Sequence, residues 1–263
     1  MRIGILLMSI LLLIIPVSVY ADNYSYSPFR TGQSPGGILP SDDQIREDMQ
    51  TLSETSDKLR VYSDSNLQPI LKYANLYDLK LSVETNDVAK VLSLDAAYPG
   101  TIESIIIDSS SLTPEQQIAK IRETKALTDI PVTALNNPKV WLENPELVLA
   151  VDFVFVDVFT DEISPANSAK EIQRINEILT KKYPYKHMAF ETGWSTVGSS
   201  KALQTEFITE INRLDLDMFY FEYTDEDWKN SNAKICNLCN TIVSFNKTVT
   251  FYQMSANNVY QSA

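Results

Sequence analysis

His187-Met-Ala-Phe-Glu191-Thr-Gly-Trp194-Ser195 is the stretch whose reading decides the fold of this chain. A short apolar run carries a carboxylate to its end and a Gly-Trp pair follows at once. That is the pattern of a buried strand ending at an acidic floor beside an aromatic ring. Outward from it, strand-length apolar runs alternate with segments of helical period, and each run is followed by polar or acidic residues. Residues 58–63, 79–83, 104–108, 130–134, 151–158, 186–190 and 217–222 read as strands, with a first strand between 22 and 27. Pro40-Ser41-Asp-Asp-Gln44 opens a helix with Ile45, Met49 and Leu52 on one face. Thr113-Pro114-Glu115 opens another, with proline at the first position and Ile118, Ile121 and Ala126 continuing its face. Eight strands separated by helices predict an α/β fold, a (β/α)8 TIM barrel. It is trimmed around the third and fourth β/α units, where residues 79–104 leave room for only a short third helix.

The chain opens Met1-Arg2 and then runs uncharged from Ile3 to Ala21, almost wholly apolar through Ile15 and broken at Pro16. A basic start, an apolar stretch and the small or moderate residues Val19 and Ala21 predict a signal peptide over 1–21, the alternative being an uncleaved anchor. Residues 22–263 then form a single domain with a sizeable core. This places the mature protein outside the cytoplasm, as a monomer with no stable membrane insertion. With 22 Lys and Arg against 34 Asp and Glu, the net charge of −12 argues against nucleic acid and anionic membrane surfaces as partners. It is compatible with a neutral polymer such as a polysaccharide. Cys236 and Cys239 form a CxxC without a second such pair and with His187 as the one histidine, so a short-loop disulfide or two thiols is preferred over a zinc or redox site. Asn23-Tyr-Ser25 and Asn246-Lys-Thr248 fit the N-glycosylation pattern. No acidic group has recognisable ligand spacing, so no metal and no cofactor are expected.

In such a barrel the chemistry sits at the C-terminal ends of the strands. That singles out Tyr26, Arg60, Tyr62, Glu84, Asp108 to Ser110, Asp157, Glu191, Trp194, Glu222 and Asp225. Trp194 and Trp228 offer flat apolar faces of the kind that stack on sugar rings, while Trp141 either does the same or packs under a helix.

Several motifs occur together. They are Tyr26-Ser-Pro-Phe-Arg30-Thr-Gly-Gln-Ser-Pro35, Gln44-Ile-Arg-Glu-Asp48 with Arg60-Val-Tyr62-Ser63, Val140-Trp141-Leu-Glu-Asn-Pro-Glu146, Glu191-Thr-Gly-Trp194, and Phe221-Glu222-Tyr-Thr-Asp225-Glu226-Asp-Trp228-Lys229. As a set, strongest over residues 25–229, they resemble glycoside hydrolase family 17, the β-1,3-glucanases. The resemblance implies a retaining double displacement on β-1,3-glucan with Glu191 as nucleophile, Tyr26, Arg60 and Tyr62 as donors around it, and Trp194, Glu222, Asp225, Glu226 and Trp228 as sugar-binding residues. A retaining pair needs two carboxyl groups about 5 Å apart. The second one departs from the family pattern, because Ser110 stands where the family carries its acid/base glutamate. Serine is a poor proton donor at neutral pH. Asp157 also stands where many relatives carry histidine. Three readings stay open: a substitute acid drawn from Asp108, Glu84 or Asp157; a cleft that binds glucan with weak or no turnover; or a reorganised loop after residue 108. A wall-remodelling transglycosylase needs both carboxyl groups too.

Overall fold

The computed structural model describes residues 23–63, 66–160, 164–194 and 200–223. Eight parallel strands close into a barrel: β1 (Asn23–Ser25), β2 (Lys58–Tyr62), β3 (Lys80–Thr85), β4 (Ile102–Ile107), β5 (Val132–Asn136), β6 (Val154–Asp157), β7 (Met188–Thr192) and β8 (Asp217–Tyr220). β1 pairs with both β2 and β8, so no edge is left unpaired. The helices are α1 (Asp42–Leu52), α2 (Leu67–Leu76), α3 (Val88–Asp95), α4 (Pro114–Lys125), α5 (Pro138–Glu143), α6 (Pro145–Ala150), α7 (Pro165–Lys182) and α8 (Lys201–Asn212). This is the (β/α)8 barrel that the alternation of runs predicts, and α3, at 8 residues, is the short third helix.

Local chemistry accounts for the helix starts. The Ser41 hydroxyl accepts from Gln44 N while the Gln44 side chain accepts from Ser41 N, and Thr113 with Gln116 repeats the arrangement ahead of Pro114. Most strands shift by one to three residues from the expected bounds, and two of the shifts have a plain local cause. Residue 131 is a proline and supplies only its carbonyl, to Ile105 N, so β5 starts at Val132. β6 starts at Val154 because the Asp152 side chain accepts from Val132 N and Lys125, closing the turn before it.

Strand parity divides the apolar residues into two layers. Ile105, Ile107, Val132, Ala134, Val154, Val156, Phe190, Met218 and Tyr220 face the helices in the large outer core. Ile106, Phe155, Ala189 and Phe219 fill the inside of the barrel, with Phe155 and Phe219 rings 5.3 Å apart. At the N-terminal end, Lys58 lies 3.3 Å from Glu103 and 3.6 Å from Asp217, and His187 Nε2 is 2.9 Å from Asp217. The lone histidine therefore belongs to a closed ionic base, at the opposite end from the strand tips. Asn23 sits half-buried within β1 with its side-chain oxygen buried. Among the described residues no helix is long and apolar enough to cross a membrane. The expected signal peptide, Cys236, Cys239 and Asn246 lie outside the described residues.

The inner cluster sets the floor on which the strand tips stand. Phe155→Ala should destabilise the protein by about 3–5 kcal/mol, read as a lowered urea midpoint with an unchanged slope; a loss under ~1 kcal/mol would show that the barrel interior is not close-packed.

Candidate active site

Parity decides which side chains enter the barrel mouth. On β2 it sends Arg60 and Tyr62 inward, on β3 Glu84, on β6 Asp157 and on β7 Glu191. The register aligns these tips, with Ser25 opposite Arg60, Tyr62 opposite Glu84 and Asp157 opposite Glu191. Glu191 is 3 % exposed. Its Oε2 accepts from Arg60 Nη1 at 2.7 Å and from the buried Ser25 hydroxyl. Arg60 Nη1 also donates to the Tyr62 hydroxyl at 2.9 Å, and its guanidinium lies over the Tyr62 ring. Arg60 Nη2 donates to Glu84 Oε2. One guanidinium thus spans two carboxylates from strands on opposite sides of the mouth.

The electrostatics follow from this crowding. Burial opposes the charge on Arg60, but Glu191 and Glu84 hold it firmly protonated. Burial raises Glu84 in spite of Arg60, and neighbouring Glu191 and Asp108 add to the rise. Burial likewise pushes the Tyr62 hydroxyl well up, against the pull of Arg60. Asp157 is pushed to about 7, first by burial and then by Glu191, with Arg60 opposing and Glu84 reinforcing. Its Oδ1 is buried without a hydrogen-bond partner among the described residues. Glu222, fully buried at the tip of β8, adds a further carboxyl close enough to act on Tyr62.

The expectations for individual residues divide. Glu191 and Arg60 meet as anticipated, while the Tyr62 hydroxyl accepts from Arg60 and reaches Glu191 only through it. Tyr26 does not join them: it is one position past Ser25, so it points out of the barrel, where its hydroxyl donates to Asp48 at 2.8 Å beside Arg30 at 2.6 Å. The inward donor from β1 is Ser25. Trp194 is not an open platform either, since it is 5 % exposed and packs against Phe207 of α8 with rings 5.2 Å apart. Trp141 is fully buried and donates to the Phe155 carbonyl at 2.9 Å. The aromatic pair that does flank the mouth is Phe159, after β6, and Phe221, after β8, edge to face at 6.1 Å and half-buried. After β4 the chain turns: Asp108 Oδ1 accepts from Ser110 N at 3.0 Å, Ser109 donates to the Leu135 carbonyl at 2.6 Å, and Ser110 is exposed. Ser110 therefore brings no proton donor to the mouth. Asp225, Glu226 and Trp228 lie outside the described residues.

The strand tips of this (β/α)8 barrel gather buried carboxyl groups around one arginine, at the end where such barrels carry their chemistry. Residues 24–237 match the BtgE/BtgC glycoside hydrolase domain, and the chain belongs to that family. The match agrees with the family 17 resemblance of its motifs. Among solved structures, the fold is similar to a glycoside hydrolase family 17 β-1,3-glucanosyltransferase from Rhizomucor miehei, 15 % identical over 80 % of this chain and 89 % of that one, with a TM-score of 0.68. It is similar also to an active-site mutant of the Rhizomucor miehei β-1,3-glucanosyltransferase in complex with laminaritriose, at 14 % identity, 79 % and 88 % coverage and a TM-score of 0.66. A calcium-binding mutant of Bacteroides uniformis β-glucuronidase 2 shares the fold at 10 % identity over 79 % of this chain and 31 % of that one, with a TM-score of 0.60. A search of curated proteins gives no match.

The raised Asp157 has a consequence for stability. Its unfolded value is near 3.8 and its folded value about 7. Below pH ~4 both states are protonated and nothing is lost. Between ~4 and ~7 the unfolded chain ionises first, so stability falls as pH rises and the loss is complete above ~7. Asp157→Asn removes this term: its Tm should match wild type at pH 4 and exceed it at pH 8, by on the order of several °C. Parallel melting curves for the two proteins would contradict the assignment.

Proposed function

We propose that this protein is an extracytoplasmic β-1,3-glucan-active enzyme that works by retaining double displacement, with Glu191 as nucleophile. One observation carries the reading: Glu191 stands buried at the tip of β7 with Arg60 and Ser25 both donating to Oε2. These donors fix one carboxylate oxygen and so orient the group for attack. In the first step Glu191 bonds to the anomeric carbon, the glycosidic C–O bond breaks, and a second carboxyl group protonates the leaving oxygen. In the second step that group takes a proton from water or from a sugar hydroxyl, whose oxygen displaces Glu191. Water gives hydrolysis and a sugar gives transfer. Phe159 and Phe221 supply apolar ring surface beside the reacting sugar. The family membership supports the glycosidase class, and the apolar, nearly uncharged segment 3–21 supports export.

A second reading is supported by the turn after β4, where Ser110 is exposed and Asp108 is engaged with its backbone. It makes the protein a glucan-binding module without turnover. Laminarin separates the two when binding and the release of reducing ends are measured together. The first reading predicts that wild type binds and cuts, and that Glu191→Gln binds but loses on the order of 10³-fold in kcat/KM. Binding without cutting, with activity appearing in Ser110→Glu, would establish the second.

A further inference from the structure

We propose that Asp157, at the tip of β6, is the acid/base group of this barrel, a role moved from β4 to the strand beside the nucleophile. The inference rests on the retaining reading above. Asp157 and Glu191 are register partners on adjacent parallel strands, so both side chains enter the mouth at one level. Neighbouring strands lie about 4.8 Å apart. That is the order of separation, about 5 Å, at which one carboxyl can attack an anomeric carbon while the other protonates the leaving oxygen.

The other acidic groups are occupied or out of reach. Ser110 has no carboxyl, and Asp108 holds the backbone of its own turn. Glu84 stands on β3, across the mouth from Glu191, and its Oε2 is held by Arg60, which favours its charged form. Glu222 is fully buried. Asp157 is partly accessible at the mouth, yet its Oδ1 is buried and unpartnered among the described residues. The unpartnered, buried Oδ1 disfavours the charged form of the group, while the accessible part of the same carboxyl faces the mouth, where a glycosidic oxygen can reach it.

The surroundings suit the role. Glu191 on β7 and Glu84 on β3 oppose ionisation of Asp157, Arg60 on β2 favours it, and β5, its other neighbour, carries no ionisable side chain from Val132 to Asn136. The group is therefore held protonated up to about pH 7 by burial and by Glu191. Once Glu191 is esterified its charge disappears, Asp157 ionises more readily, and it becomes the base for the second step. The proton leaves with the first sugar and returns from the acceptor, so each cycle restores the starting state.

The test uses two substrates that differ in their need for a proton. Laminaripentaose has a sugar leaving group and requires an acid; 2,4-dinitrophenyl β-laminaribioside has a leaving group stable as an anion and does not. Asp157→Asn should lose about 10²–10⁴-fold in kcat/KM on laminaripentaose. On the aryl glycoside it should still release a burst of dinitrophenolate, and added azide should restore turnover with the β-glycosyl azide as product. Wild type on laminaripentaose should lose kcat/KM above about pH 7. Activity of Asp157→Asn within about threefold of wild type on laminaripentaose overturns the proposal, as does azide product formed by Glu84→Gln or Asp108→Asn in its place. Failure of the retaining reading is a separate result: wild type would then leave both substrates intact, or release the α-anomer first from laminaripentaose.

Discussion

The guanidinium of Arg60 is the constraint around which the mouth of the barrel is built. It is buried, it bonds Glu191 and Glu84 at once, and it supports the Tyr62 hydroxyl. Two carboxylates facing one cation leave a net negative centre, and Asp157 and Glu222 stand close to it. Taking several like charges out of water together is prohibitive unless some are neutralised by protons. Burial first, and then the Glu191 charge, hold Asp157 up to about 7, with Arg60 pulling the other way. On the proposed roles, the acid and the nucleophile are two consequences of one charge imbalance.

That imbalance is affordable only because the rest of the barrel is closed and apolar beneath it. Ile106, Phe155, Ala189 and Phe219 form an apolar floor under the polar tips, and Lys58, Asp217 and His187 gather at the far end. A second polar unit, Tyr26 with Asp48 and Arg30, stands outside the strands and ties the loop after β1 to α1. It shapes the rim without touching Glu191. A barrel with chemistry at its strand tips and stability at its base divides these tasks between its two ends.

Most of this arrangement was legible in the sequence because strands that end in charged residues are easy to find. All eight lie where apolar runs occur, and Glu191 and Arg60 meet as their positions implied. What failed to show was parity over short strands. β1 has three residues, too few for alternation to declare itself, and the motif drew attention to Tyr26 when Ser25 is the inward residue. Trp194 shows a related limit: a tryptophan just past a strand can turn toward the mouth or toward the next helix, and only the fit against Phe207 decides it. Phe159 and Phe221 are far apart in the chain and become neighbours only once the barrel closes. The standing of Asp157 depends on a three-dimensional sum of charges that no single stretch contains.

The central claim is that Glu191, and no other carboxylate of this cluster, bonds covalently to the sugar. Treating the protein with a 2-deoxy-2-fluoro β-laminaribiosyl fluoride, which forms the glycosyl intermediate quickly and releases it slowly, tests it directly by peptide mass spectrometry. A single fluoroglycosyl adduct on the peptide carrying Glu191 is the predicted result. An adduct on Glu84 or Asp157, or no adduct on a protein that binds the reagent, would contradict the account.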